Sequence, residues 1–388
     1  MNRYIGHRLC LALISAAFLF APQRASAQDA PAKSIAAVLQ PFVDGQTLAG
    51  AVALVADKDK VLTVEAVGWA DIANKKPMKI DSLFWIASQS KPITSAALMI
   101  LVDEGKVKLD DPVEKYLPEF KELRVAAGKD KGGELKVPSH PITVREILSH
   151  TSGMPFKSDK ENPTLDALTL KEGVASYAKT PLMSEPGTKY AYSNAGINTG
   201  GRIIEVVSGM SYEDFLDKRL LGPLGMKDTT FWPNEEQLTR LAKSYKPGKD
   251  KNGLEELTIG QLKYPLNDRK RQPMPAGGLF STASDVAKFC QMMLNGGKVN
   301  GKQLLSEDAV KQLTTKQTGD LVKTEYGLGF STGGSFGHGG AMATNMSVDP
   351  KRGLILVWMV QHAGYPGNGN QSQGAFRKAA EERFSPKK

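Results

Sequence analysis

The sequence predicts an α/β (α+β) architecture: one antiparallel sheet built from both ends of the chain, flanked by helices, with a mostly helical domain inserted between them. Three observations carry this. Strand-like segments rich in Val, Leu and Ala lie at 49–67 and again at 341–360. Helical signals dominate about 109–275. An almost wholly apolar stretch from Lys91 to Asp103 reads as a buried helix. Strands at the two termini with helices between them are most simply joined as one sheet carrying an insertion.

From the N-terminus, residues 1–27 read as an export leader. Arg3, His7 and Arg8 form a basic start, and Leu9 to Phe20 is an apolar run too short to span a bilayer comfortably. Ala25-Ser26-Ala27 supplies the small-residue cleavage site. The mature chain is then a periplasmic or secreted protein beginning near Gln28, with no stable membrane insertion. Within 28–388 the sheet part covers about 30–108 and 276–388, and the helical part about 109–275.

Ser34 to Phe42 has apolar residues at helical spacing. Ala49–Ala56 and Val61–Val67 flank the polar turn Asp57-Lys58-Asp59-Lys60 and read as a hairpin. Phe84-Trp85-Ile86 leads into Ser88, after which Pro92 suits a first helical turn and Gly105 a helix stop. Thr143-x-x-Glu146 is a capping box, Ser211-x-x-Asp214 a weaker one, and Thr282-x-x-Asp285 opens a helix that ends at Gly296-Gly297. Lys121–Pro141 and Lys246–Pro275, rich in charge, Gly and Pro, read as surface loops. Tyr326–Phe330, Ala341–Val348 and Leu354–Val360 are strand-like, with a turn at Asp349–Gly353, and Ala375–Phe384 can form a last helix.

The 388 residues, 41% hydrophobic, suffice for a large core and exclude a disordered or collagen-like chain. Loss of the leader removes Arg3, Arg8 and Arg24 and no acid, so the net charge falls from +9 to +6. The remaining basic residues are scattered rather than gathered with aromatics, which argues against nucleic acid as a partner. Weak association with anionic cell-wall polymers is compatible with this charge. Cys290 alone remains after processing, in an apolar helical context that makes it a core residue. Neither a His-Glu-x-x-His nor a paired-Cys pattern occurs, so no metal and no cofactor is expected.

The chemistry begins at Ser88-Gln89-Ser90-Lys91. Residues i and i+3 share a helix face, so the Lys91 amine can reach the Ser88 hydroxyl and take its proton. That requires burial to hold the lysine well below its ordinary pKa, and the apolar helix supplies it. Ser176-x-x-Lys179 and Ser385-x-x-Lys388 match the pattern but open no such helix. Tyr192-Ser193-Asn194 could aim a phenol and an amide at one point: Tyr192 to shuttle a proton, Asn194 to bind a substrate carbonyl. It could equally be a turn in which the tyrosine packs and the asparagine caps. His338-Gly339-Gly340 precedes Ala341, whose N–H could join that of Ser88 in an oxyanion hole; alternatively it is a Gly-rich approach to a strand with an incidental histidine.

Taken in this order, these motifs resemble the serine β-lactamase and penicillin-binding protein superfamily, above all its class C β-lactamase, esterase and D-aminopeptidase branch. Ile86-Ala87-Ser88, Leu148-Ser149-His150-Thr151-Ser152-Gly153 and Gly277-Gly278-Leu279-Phe280-Ser281-Thr282 support it, and the resemblance runs from about Val52 to Gln361. It implies a β-lactamase/transpeptidase-like fold with the cleft between sheet and helical parts. It also implies Ser88 as nucleophile, Lys91 and Tyr192 as acid/base, and Asn194, His338, Gly340 and Ala341 at the substrate. Most β-lactamases carry Lys-Thr-Gly where this chain has His338-Gly339-Gly340. A histidine that titrates near neutrality replaces a permanent cation there. Relatives with His at this place include peptidases and amidases, so the expected activity is an esterase or amidase acting on small ester, amide or peptide substrates.

Rival readings exist. Gly333-Gly334-Ser335-Phe336-Gly337 matches a nucleophile elbow with Asp349 and His362 following in order, but a Gly-rich strand rather than a helix follows Ser335. His150 could be a base, yet its Ser-His-Thr-Ser-Gly context reads as a loop-orienting residue. From another class, the chain could be a penicillin-binding D-Ala-D-Ala carboxypeptidase, a β-lactamase, or a slowly acylating peptidoglycan binder.

Overall fold

The computed structural model describes Met1 and residues 34–126, 134–250 and 252–386. The leader expected at 1–27 lies outside the described residues apart from Met1, as does the centre of the 121–141 loop.

Helix α1 (Ile35–Asp44) is capped by the Ser34 hydroxyl, which accepts from the Ala37 N–H at 3.1 Å. Strands β1 (Gly50–Ala56) and β2 (Val61–Asp71) form the expected hairpin, and β3 (Lys76–Pro77) adds a short edge. The chain returns to this sheet at its far end with β4 (Phe336–Gly339), β5 (Asn345–Asp349) and β6 (Leu354–Met359). The spatial order is β4-β5-β6-β1-β2-β3, antiparallel throughout. Strand β1 pairs with β6, Val52 opposite Met359 and Leu54 opposite Val357, so the two termini of the chain meet at the centre of one sheet.

Every residue of β1 and β6 is buried because both faces of the sheet are covered. The two-residue period of a strand sends alternate side chains to opposite faces. Ala51, Ala53, Val55, Leu356 and Trp358 pack with Ile35 and Leu39 of α1 and with Phe376 and Ala380 of the last helix (Ser372–Phe384). Val52, Leu54, Ile355 and Val357 join the larger core, which continues through helix α2 (Ser90–Asp103) into residues 109–275. In α2 every residue from Ser90 to Leu101 is buried.

The 109–275 segment also holds two small hairpins, 125–126 with 135–136 and 244–247 with 254–257. The second draws strand pairing into the expected 246–275 loop. Two further expectations are corrected. Tyr326–Phe330 is a tight turn, because Gly327 N–H closes on the Phe330 carbonyl at 2.8 Å and Gly329 sits at φ +76°. The strand expected from Ala341 begins at Asn345. Residues 340–344 are the β4–β5 turn, closed by the Gly340 N–H on the Thr344 carbonyl at 2.8 Å. Ser335 leads straight into β4 rather than into a helix, so the elbow geometry is absent there. Among the described residues no helix is long and apolar enough to cross a membrane.

Candidate active site

Ser88 lies in the single 3-10 turn Ala87–Gln89 that leads into α2. Both sides of this turn are pinned. Phe84-Trp85 pairs with Phe280-Ser281, Ile86 N–H donates to the Leu279 carbonyl at 3.0 Å, and Trp85 Nε1–H donates to the Gly277 carbonyl at 2.7 Å. Behind it, Ser90 Oγ donates to the Ala87 carbonyl (2.7 Å) while accepting from the Leu279 N–H (3.2 Å). Ala87 is held at φ +46°, a left-handed conformation that costs a non-glycine residue about 1–2 kcal/mol. Such strain persists where the surroundings over-determine the backbone, and it accumulates at functional sites.

Lys91 follows one helical turn on and is 0% exposed. Three oxygens ring its Nζ: Ser88 Oγ at 3.1 Å, Asn194 Oδ1 at 2.8 Å and the Ala276 carbonyl at 2.6 Å. Among the described residues no carboxylate pairs with it, and burial pushes the ammonium well below its ordinary pKa. The Tyr192 ring lies under the amine, with Nζ 4.7 Å from the ring centroid. Burial raises the Tyr192 phenol above its usual 10, while the neighbouring Ser88 hydroxyl pulls the other way, so the phenol keeps its proton at neutral pH.

Asn194 is the first residue of helix α5, which takes its number after α3 (Val144–Leu148) and α4 (Leu170–Tyr177) and spans Asn194–Ser208. The cap of α5 is Ser193, whose Oγ accepts from the Gly196 N–H at 3.0 Å. Asn194 is thereby free to point its side chain at Lys91, and the alternative in which it caps does not hold. His150 fastens Tyr192 from both sides. Its carbonyl accepts from the Ala191 N–H (2.8 Å), its Nδ1 accepts from the Ser193 N–H (3.1 Å), and its ring centroid is 4.6 Å from that of Tyr192. Desolvation pushes the imidazole well below 6.5, with Lys91 and His338 acting in the same direction, so His150 stays neutral.

His338 stands on β4 with its ring centroid 6.1 Å from that of Tyr192. Its Nδ1 is 2.6 Å from the Gly339 carbonyl, which can only accept, so Nδ1 carries the hydrogen. Nε2 therefore accepts from the Tyr326 hydroxyl at 3.0 Å. Burial, reinforced by Lys91 whenever it is protonated, holds its pKa down to about 4. This corrects the expectation of a histidine titrating near neutrality: the ring is neutral at physiological pH. Gly340 brings its backbone against the Ser88 turn, and a Cβ there would lie 2.5 Å from the Ile86 carbonyl oxygen and 2.2 Å from Thr344 Oγ1. Ala341 is exposed in the β4–β5 turn, and among the described residues its N–H has no hydrogen-bond partner.

The structure thus brings Ser88, Lys91, Tyr192, Asn194 and His338 together, with Gly340 packed against the Ser88 turn. Sequence reasoning missed Ala276 and Tyr326. Ala276 contributes only a carbonyl, which any residue could supply, and Tyr326 lay in a segment read as strand. Ser176, in the competing pattern, is buried with its hydroxyl tied to Ser158 Oγ (2.7 Å) and the Gly173 carbonyl (2.6 Å), while Lys179 is exposed. Among the described residues no three His, Cys, Asp or Glu side chains gather into a metal-ligand set.

The sequence and fold have relatives among known proteins. The chain is similar to Protein Rv1367c of Mycobacterium tuberculosis, 32% identical over 369 residues, covering 84% of this chain and 89% of that one. It is also 28% identical, over 71% of this chain and 68% of the other, to a Salmonella agona protein whose name, D-alanyl-D-alanine carboxypeptidase, is provisional. Among solved structures it superposes on EstCE1, a hydrolase with promiscuous acyltransferase activity, with a TM-score of 0.75 at 24% identity, covering 89% of this chain and 97% of that one. The family signature described as Beta-lactamase matches residues 35–379, nearly all of the described chain, and the chain belongs to this family of serine hydrolases.

Proposed function

We propose that this protein is an exported serine hydrolase that forms an acyl-enzyme on Ser88 and cleaves small, uncharged esters or amides. The observation that carries the mechanism is the coordination of Lys91. A neutral amine has two hydrogens, and two carbonyl-type acceptors, Asn194 Oδ1 and the Ala276 oxygen, lie within 2.8 Å. Its lone pair is then left for the third neighbour, the Ser88 hydroxyl at 3.1 Å. In the acylation step the Ser88 proton passes to Lys91 Nζ as Oγ attacks the substrate carbonyl carbon, and the Ser88 and Ala341 N–H groups hold the oxyanion. Collapse breaks the bond to the leaving alcohol or amine. Tyr192 gives that group its phenolic proton and regains one from Lys91. Water then repeats the attack on the acyl-enzyme, and the carboxylic acid departs.

Substrate charge follows from His338. With Nδ1–H given to Gly339 and Nε2 accepting from Tyr326, the ring has no hydrogen left for a substrate carboxylate. This favours neutral esters and amides over carboxylate-bearing peptides and β-lactams. The carboxypeptidase-named relative supports the second reading, a D-Ala-D-Ala carboxypeptidase or penicillin-binding relative. The basic, apolar and small-residue pattern of 1–27 supports export to the periplasm or medium.

The test is turnover of p-nitrophenyl acetate together with intact-mass analysis after a fluorophosphonate and after a penicillin. Wild type is expected to hydrolyse the ester and take one fluorophosphonate adduct, both lost in Ser88→Ala. Lys91→Arg, whose guanidinium cannot release its proton, is expected to lose about 10²–10⁴-fold in kcat. A stable penicilloyl adduct without ester turnover would favour the second reading. Near-normal turnover by Lys91→Arg would remove lysine as the base.

A further inference from the structure

Behind Lys91 a buried series of hydrogen bonds, joined through the Ala276 main chain, runs to a carboxylate that the reaction above does not use. The Ala276 carbonyl that accepts from Lys91 belongs to a residue whose own N–H donates to Asn198 Oδ1 at 3.0 Å. Asn198 Nδ2 donates to the Tyr177 hydroxyl at 3.0 Å, and that hydroxyl donates to Glu161 Oε1 at 2.6 Å. The second carboxylate oxygen, Oε2, accepts from the Ser158 N–H at 2.8 Å. Glu161, Tyr177 and Asn198 are each no more than 3% exposed. The donor and acceptor sense of every link is settled by the end members. A carboxylate only accepts, so Tyr177 must donate to it and accept from the amide nitrogen. Asn198 must then present its oxygen to the Ala276 N–H.

We propose that Glu161 is a positioning residue for Lys91, acting through Tyr177, Asn198 and the Ala276 main chain. This rests on Lys91 being the base. When Lys91 takes the Ser88 proton, positive charge develops on Nζ, and the oxygen that must meet it is the Ala276 carbonyl. Asn198 helps hold Ala276 in place, and the carboxylate at the far end favours the charge. The logic is that of a base oriented by a partner that is itself anchored. No proton moves along the chain, because each hydrogen stays with its donor.

The peptide carrying the Ala276 N–H is held by Asn198 and, through its Pro275 carbonyl, by Thr94 Oγ1 (2.8 Å), and the peptide carrying the Ala276 carbonyl is held by the Gly277 N–H donating to the Met274 carbonyl (3.1 Å), so Asn198 is one of three anchors of this turn and the one that leads to a charge. Desolvation raises the Glu161 carboxyl above 4.5, opposed by Tyr177, Ser158 and Lys157. The other groups facing Lys91 are Ser88, Tyr192, His150 and His338, and those facing Glu161 are Tyr177 and Lys157.

The test compares Glu161→Gln, Tyr177→Phe and Asn198→Ala in the full chain, by kcat, KM and the pH profile of kcat/KM on p-nitrophenyl acetate, with thermal unfolding to confirm folding. In folded variants kcat is expected to fall about tenfold or more, within the range of a general-base contribution, while KM stays within about twofold. In Glu161→Gln the acid limb is expected to move to lower pH by about half a unit or more, because loss of the distant negative charge disfavours the ammonium. A purely structural role would leave the acid limb in place. Wild-type kcat and an unmoved acid limb in any folded variant overturn the proposal. Asn198→Ala breaks the chain from α5 and decides the matter if the other two do not fold. Activity surviving in Lys91→Ala overturns the base assignment itself, a result the other variants do not mimic.

Discussion

His338 shows how one hydrogen-bond pattern changes what a site recognises. The resemblance placed it where most β-lactamases have a lysine, and its residue type suggested a titrating charge. Its surroundings keep it neutral: burial removes water, and Tyr326 needs Nε2 as an acceptor. His338→Lys restores a cation at this point. Penicillin acylation of Ser88 is expected to rise about tenfold relative to p-nitrophenyl acetate turnover, the effect of one charge-assisted hydrogen bond of ~1.5 kcal/mol. Time-resolved intact mass and ester kinetics measure the two rates, and an equal change in both would remove the carboxylate argument. At this scale the legible residues were those whose side chains do chemistry at short spacing, Ser88 with Lys91 and Tyr192 with Asn194. Ala276, Asn198 and Tyr326 were not legible, because a carbonyl, a second-row amide and a distant phenol leave no local pattern.

Among the elements, the 3-10 turn bearing Ser88 and the β4–β5 turn depend on each other. The space beside Gly340 is filled by the Ile86 carbonyl and Thr344 Oγ1. In Gly340→Ala the added Cβ meets two oxygens at 2.2 and 2.5 Å, so one turn must yield. Destabilisation of about 1–3 kcal/mol is expected, the usual penalty of overpacking, with kcat reduced more than KM is raised. Urea unfolding and steady-state kinetics check this; wild-type values for both would mean that the two turns move independently. The helices were readable from period and caps: Thr143 and Glu146 form the full capping box, and Thr282 caps the helix at Ala283–Leu294. Strand limits near the site were not. Tyr326–Phe330 and residues 341–344 have strand-like composition, but glycines and long-range contacts turn them into bends.

At the level of the whole molecule, three buried neutral histidines couple stability to pH. Burial lowers the pKa of His338 and of His362 to about 4, and of His150 well below 6.5. Each binds its proton more readily when unfolded, so stability rises with pH wherever the unfolded chain holds more protons. The contribution is complete above about pH 6.5 and is lost as pH falls through the window down to about 4. Glu161, whose pKa burial raises, opposes this in the lower part of the window. The urea midpoint is expected to fall between pH 7 and pH 4, and to fall less in His362→Gln, where an amide oxygen can accept from the Ala49 N–H in place of Nε2. An identical slope in that variant would assign the loss to other groups.

Composition and spacing alone determined that both ends of the chain supply strands, that α2 is buried, and that Ser88 and Lys91 lie one helical turn apart at its start. These are local consequences of residue type and helical period. Only the tertiary structure decided that the termini meet as β1 and β6, that three oxygens saturate Lys91, and that His338 carries no charge. Those depend on which distant groups burial brings within hydrogen-bond reach, and no period along the chain encodes that.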